Sequence, residues 1–330
     1  MKSISKYWYQ PVDQVPFGLK ILSQLFAGVS VLRRFSYQYF SSRVYRAPLP
    51  VIVVGNIFVG GTGKTPLVIA LAELLKKQNK AAGIISRGYG GKAKQWPQKV
   101  TAQSDAELVG DEPVLIATRT ACPMVVGPNR KLAIEMLLAE NPQLDVIISD
   151  DGLQHYAMAR DMECVVIDGD RRFGNGLLLP AGPLREKQSR LQHVDFCISN
   201  GLAQAGEFAM NLQLNQVYSL NNPAQKKSLQ WFAGQKVHAI AGIGHPERFF
   251  KALQNNDIQV SPCAFPDHHH YIAENLRFED GAAILMTEKD AVKCQQFHAD
   301  NAWVVPVTAQ LDKNFEKQFL VRLEQIPLVQ

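Results

Sequence analysis

A short apolar strand, a glycine-rich turn and a helix follow one another without interruption near the start of this chain, and few other patterns narrow a fold so far. Leu49 to Val54 reads LPVIVV, a β-branched run suited to a buried strand. It leads directly into Gly55-Asn56-Ile57-Phe58-Val59-Gly60-Gly61-Thr62-Gly63-Lys64-Thr65, and Pro66 then stands where the first turn of a helix over 66–78 tolerates it. Such a turn lets the backbone N–H groups of Gly60, Gly61, Thr62 and Gly63 point inward around phosphate oxygens, with the positive end of the following helix behind them. Lys64 would reach the β- and γ-phosphates of a nucleotide, and the Thr65 hydroxyl would face Mg2+. The strict G-x-x-x-x-G-K-[ST] pattern has a glycine where this chain has Phe58, so the loop looks like those variants whose glycines cluster beside the lysine.

A second strand, Leu144 to Asp151 (LDVIISDD), ends in two carboxylates. In a parallel sheet such an end shares its edge with the glycine loop, so Asp150 and Asp151 join Thr65 as metal candidates, against the plainer reading of a turn or helix cap. Strands expected at 50–54, 82–85, 123–126, 145–149 and 164–167 alternate with helices such as 66–78 and 128–140. That order predicts an α/β fold: a P-loop NTPase-like parallel sheet wound with helices. The Gly- and Pro-rich stretch 174–190 reads as a junction to a smaller α/β unit, with strands at 237–241, 283–286 and 303–307 and a helix starting at Pro246. The expected division is 1–45, 46–190 and 191–330, with the last unit closing over a cleft to exclude water.

The net charge of +5 is local: residues 1 to 50 hold seven basic side chains and one acid, so the other 280 residues together carry a single negative charge. Within that segment Pro16 to Phe40 reads as a helix, with Leu19, Leu22, Phe26 and Val29 at helical spacing and Arg33 and Arg34 following. Its apolar stretch, Ile21 to Leu32, is well short of the roughly 20 residues needed to cross a bilayer. No small-residue cleavage site follows it, which argues against a signal peptide. Two readings remain: a helix lying at a membrane surface with its cations near anionic head groups, or a helix packed on the core. Five scattered cysteines with no C-x-x-C pair fit a reducing compartment.

Eight stretches fall in order along the chain: GNIFVGGTGKTP, SRGYGG (86–91), GDEP (110–113), DDGLQH (150–155), LLPAGPLRE (178–186), GIGHPERFF (242–250), FPDHHHY (265–271) and TEKDAVK (287–293). On these motifs the chain resembles the tetraacyldisaccharide 4'-kinase family, whose loops share the variation at position 58. The resemblance implies transfer of the γ-phosphoryl group of ATP, with Mg2+, to the 4'-hydroxyl of a tetraacyldisaccharide 1-phosphate in lipid A biosynthesis, forming lipid IVA. It also implies a lipid disaccharide partner and a place on the cytoplasmic face of the inner membrane, in the cytoplasmic leaflet. The chain is expected to act as a monomer, with no nucleic acid as partner. The resemblance assigns Asp111 as the carboxylate that accepts the acceptor hydroxyl's proton and pairs it with His268, which would orient it. Arg185 would meet the charge developing on the phosphoryl group.

Read without the resemblance, several of these residues have plainer roles. Arg185 and Glu186 also fit a surface ion pair, and Arg87 either holds the substrate's existing phosphate or caps a neighbouring element. Three consecutive histidines, His268 to His270, point in different directions on any regular backbone, which argues against a metal site. Thr287-Glu288-Lys289-Asp290 has its lysine third rather than second, so the guanine-reading [NT]-K-x-D pattern does not map and ATP is preferred. Competing functions are a membrane-attached P-loop NTPase acting on a protein partner and, less well matched to the basic apolar N-terminus, a soluble ligase or kinase for a cofactor precursor.

Overall fold

The computed structural model describes residues 4–327. A nine-stranded sheet contains β1 (Val51–Gly55), β2 (Ala82–Ser86), β3 (Gln98–Val100), β4 (Met124–Val126), β5 (Val146–Asp150), β6 (Met162–Asp168), β7 (Phe196–Asn200), β8 (Phe208–Gln213) and, from near the end of the chain, β15 (Thr308–Leu311). Its order is β15-β8-β7-β6-β1-β5-β2-β4-β3. Only the outermost pairs, β3 with β4 and β8 with β15, are antiparallel. The central strand β1 lies between β5 and β6, parallel to both, with Val54 level with Asp150 on one side and Cys164 on the other. The turn after β1 and the carboxylates ending β5 therefore share one edge.

Strand β1 is buried on both faces because successive side chains point opposite ways. Ile52 and Val54 enter a core with Leu67, Leu71 and Leu75 of α2 (Lys64–Lys77), while Val51 and Val53 enter another with Ala133, Ile134 and Leu137. Helices α3 (Ala106–Val109) and α4 (Asp111–Thr120) precede β4, and α5 (Arg130–Glu140) precedes β5. The smaller sheet runs in the order β10-β9-β14-β13-β11-β12 and comprises β9 (Gln216–Ser219), β10 (Lys226–Ser228), β11 (Lys236–Ala241), β12 (Gln259–Ala264), β13 (Ala283–Thr287) and β14 (Ala302–Val305). Helix α6 (Pro246–Gln254) follows β11, and α7 (Glu288–Cys294) follows β13.

The division expected at residue 190 does not coincide with a boundary between sheets. Strands β7, β8 and β15 extend the large sheet, and α8 (Lys313–Glu324) returns to its core. Aromatic packing explains the return: Phe315 meets Phe196 edge to face at 5.2 Å and Phe208 at 5.5 Å, and Phe319 lies 5.8 Å from Phe315. The smaller sheet is thus an excursion of residues 216–305 between β8 and β15.

Helix α1 (Phe17–Tyr39) is one long helix, and no helix among the described residues is long and apolar enough to cross a membrane. It rests on the protein through Ser23, Phe26 and Ala27, and the Ser23 hydroxyl donates to the Leu178 carbonyl at 2.9 Å. The opposite side exposes Phe17, Ile21, Leu25, Val29, Leu32 and Phe35, with Phe17 at 76% and Leu32 at 70%. The expected stripe of Leu19, Leu22, Phe26 and Val29 straddles these two sides. Apolar residues surround most of the helix, so spacing alone did not show which of them turn outward.

If α8 belongs to the large core, Phe319→Ala should cost about 3–5 kcal/mol, whereas the half-exposed Val321→Ala should stay within about 0.5 kcal/mol. Chemical denaturation of both variants checks this, and equal midpoints would place α8 outside that core.

Candidate active site

The glycine loop is held open by its neighbours. Gly63 caps α2 with φ of 101°, and a Cβ there would lie 2.6 Å from the Asn200 amide nitrogen. That amide donates to the Thr62 carbonyl at 3.0 Å, while Asn56 Nδ2 donates to the Thr62 hydroxyl at 2.9 Å. Arg171 donates to the Gly61 carbonyl and to Asp168. Phe58 accounts for the departure from the strict pattern. Its backbone bridges Leu184 in antiparallel fashion, its ring is buried with Arg171 stacked 5.1 Å from it, and no left-handed turn occurs there to require glycine.

The same bridge lays the segment 178–185 along the loop, where the Arg185 amide donates to the Ile57 carbonyl at 2.7 Å. Arg185 thereby reaches Asp151, Nη1 to Oδ1 3.4 Å, and Lys64 Nζ lies 3.5 Å from the same oxygen. Asp151 has φ of 47°, a left-handed turn that directs its carboxylate there. Burial would raise the Asp151 pKa, but Lys64 and Arg185 hold it below the ordinary carboxylate range. Asp150 is its opposite: burial, Glu112 and Asp151 push it up to about 7. One Asp150 oxygen accepts from the Ser86 hydroxyl at 2.9 Å, and the other is buried without a hydrogen-bond partner among the described residues. Thr65 is the second residue of α2. Glu186, which in the plainer reading forms a surface pair with Arg185, is instead buried against Gln154 and Tyr156.

Asp111 opens α4 after Gly110, whose φ of 97° leaves space that a Cβ would take from the Tyr89 carbonyl at 2.7 Å. The buried Asp111 carboxylate faces His268 Nδ1 at 3.0 and 3.1 Å, joining residues 157 positions apart. Burial would raise the Asp111 pKa, but the hydrogen bond from His268 and the charges of Lys289, His268 and Lys293 lower it. The same hydrogen bond raises His268 above its ordinary value. Lys289 fastens this region by donating to Glu112 and Asp267, each at 3.0 Å. Gly244 links the two clusters, since a Cβ on it would lie 3.3 Å from the Gly61 nitrogen and 3.5 Å from Asp267. A cavity of about 300 Å3 opens beside Gly90, Asp111, His268 and Lys293.

The other two histidines diverge: His269 stacks on Phe265 at 4.5 Å, and His270 pairs with Glu107. Arg87 is exposed. Sequence reading missed Asn56, Asn200, Ser86, Lys289 and Lys293. A lone polar residue at a strand end, such as Asn200, carries no local signal, whereas Lys289 and Lys293 lie in TEKDAVK, a stretch that carries the family resemblance and was compared with a guanine signature but whose lysines were given no role.

The family model Tetraacyldisaccharide-1-P 4'-kinase matches residues 16–324. A tetraacyldisaccharide 4'-kinase of Nitrosococcus oceani is 48% identical over 324 residues, covering 98% of this chain and 94% of the relative. One of Pseudoalteromonas atlantica is 47% identical over 307 residues, covering 92% of this chain and 99% of the relative. Among solved structures, LpxK from Aquifex aeolicus, crystallised with ATP, superposes with a TM-score of 0.77 at 27% identity, over 92% of this chain and 97% of that one. With a family match across almost its whole length and relatives nearly half identical to it, this chain belongs to the tetraacyldisaccharide-1-P 4'-kinase family.

Proposed function

We propose that this kinase passes the γ-phosphoryl group of ATP to the 4'-hydroxyl of a tetraacyldisaccharide 1-phosphate at a membrane surface, with Asp111 as the base. The observation that supports the reading most is the meeting of Lys64 with Asp151 at 3.5 Å, on a sheet edge where β1 and β5 run in register. Amides of Gly60 to Thr65 and the Lys64 ammonium would bind the nucleotide phosphates. The acidic residues fit a divalent cation, because Asp150 has a buried oxygen without a partner among the described residues and a pKa raised by burial and by the neighbouring Glu112 and Asp151 carboxylates. Thr65, Asp150 and Asp151 would hold Mg2+, which when bound neutralises charge on the phosphates.

Asp111 takes the proton of the attacking hydroxyl. His268 orients the carboxylate through Nδ1, and Arg185 steadies the phosphoryl charge with its planar fork of donors. The unit carrying the smaller sheet brings His268 to Asp111 and Gly244 to the glycine loop, so closure of that unit over both substrates would assemble the base and the phosphate site together. The outward apolar face of α1 lies in the acyl boundary on the cytoplasmic face of the inner membrane. Acyl chains of the acceptor can then remain in the bilayer, since each CH2 exposed to water costs about 0.8 kcal/mol.

Asp111→Ala should lower kcat by about 100-fold or more while leaving ATP binding nearly intact, whereas Lys64→Ala should damage both. Steady-state rates with radiolabelled ATP and equilibrium nucleotide binding separate the two cases, and a wild-type rate in Asp111→Ala would end the base assignment. Raised His268 and lowered Asp111 pKa values bound the pair's pH range: it is lost as pH rises through the folded value of His268, and as pH falls through that of Asp111. kcat should therefore decline on the alkaline side, and His268→Gln should flatten that decline; an identical alkaline limb in the variant would count against the pairing. In mixed detergent or vesicles the acylated disaccharide should turn over much faster than a deacylated analogue. Equal rates would remove the reason for a membrane-facing helix.

A further inference from the structure

Three consecutive carbonyls of the glycine loop are tied from behind. Gly60 O accepts from Asn56 Nδ2 at 3.4 Å, Gly61 O accepts from Arg171, and Thr62 O accepts from Asn200 Nδ2 at 3.0 Å. The last of these ties reaches beyond the large sheet. Asn200 ends β7 and is buried, and its Oδ1 and main-chain oxygen each accept from Arg248 Nη2 at 3.2 Å. Arg248 belongs to α6 of the smaller unit, whose Phe249, Phe250 and Leu253 enter that unit's own core while Arg248 turns toward β6 and β7. Its Nη1 lies 3.9 Å from Oδ2 of Asp168 at the end of β6, the same buried carboxylate that Arg171 holds.

We propose that Arg248 is a positioning residue for the nucleotide phosphates: by holding Asn200 it fixes the Thr62–Gly63 peptide of the glycine loop and so tightens the binding of ATP. This rests on the glycine loop being the ATP phosphate site. An asparagine amide can turn over, exchanging its oxygen and nitrogen, and only one of the two orientations serves the loop. With the guanidinium in place, the turned-over form would set N–H groups against N–H groups on one side and an oxygen against the Thr62 carbonyl on the other. Arg248 therefore locks the amide nitrogen onto Thr62. A trans peptide carries its C=O and N–H on opposite sides, so holding Thr62 O behind the loop turns the Gly63 N–H toward the side where phosphate oxygens would meet it. Arginine suits the place because its planar fork bonds Asn200 and at the same time comes within 3.9 Å of both Asp168 and Asp170.

Arg248→Ala tests this in the full chain, by equilibrium titration with ATP and by steady-state rates with the acylated disaccharide. The expected result is ATP binding weakened by about tenfold and a KM for ATP raised to match, with the KM for the disaccharide nearly unchanged. Arg248→Lys, which keeps the charge but loses the fork, should recover part of the affinity. Asn200→Ala should cost at least as much as Arg248→Ala, and joining the two should cost little further, because both changes act on one peptide. Unchanged ATP affinity in Arg248→Ala would overturn the proposal, as would equal losses for both substrates. Losses that multiply in the double variant would also overturn it, since Arg248 would then act other than through Asn200. Should Asn200→Ala not fold, Asn200→Asp keeps the pair with Arg248 but removes the donor to Thr62, and wild-type ATP affinity in that variant would overturn the proposal too. Lys64→Ala with wild-type ATP affinity would instead remove the phosphate-site reading on which the proposal stands.

Discussion

Parallel pairing of β1 with β5 is the constraint on which the site depends. It sets Val54 level with Asp150, so the glycine loop leaving one strand and the carboxylates ending the other emerge side by side. Lys64 then needs only its own length to reach Asp151. The two aspartates are adjacent in sequence but lie in opposite electrostatic surroundings. Asp151 turns toward two cations and is held ionised, while Asp150 lies buried beside other acids with one oxygen unmatched. A pair tuned apart in this way would suit two different tasks in the proposed metal and phosphate site.

The second organising contact crosses the chain's topology. Between β8 and β15 the chain makes an excursion that builds the smaller sheet, and this excursion returns three groups to the edge of the larger one. His268 reaches Asp111, Lys289 ties Glu112 to Asp267, and Gly244 packs against the phosphate loop. Asp111 and the glycine loop are thereby braced by the same unit. Any movement of that unit would act on both, which is the physical content of a lid in a phosphoryl-transfer enzyme.

Helix α1 is joined to the same machinery at its inner face. Ser23 bonds to Leu178 in the segment that carries Arg185, and Tyr37 lies 6.4 Å from Tyr156, five residues beyond Asp151. The outer face holds a band of large apolar side chains open to solvent, the kind of surface that marks an interaction site. Under the proposed function a lipid acceptor would give that band a purpose, since it would let the reacting sugar meet Asp111 while its chains remain in the apolar phase.

The strand, glycine turn and helix around Lys64 were legible in the sequence because each signal is local: β-branched residues, clustered glycines, and a proline in the first helical turn. The acid-ended strand was legible for the same reason, and the order of short motifs was enough to identify the family. Local pattern could not show that Phe196, Phe208 and Phe319 share one core, because aromatic contacts between distant segments leave no period in the sequence. Nor could it show which side of an almost uniformly apolar α1 faces outward, or that Lys293 ends between Asp111 and Asp290. Those placements depend on how two sheets meet, and a carboxylate's charge state depends on the groups that folding brings within a few ångströms of it.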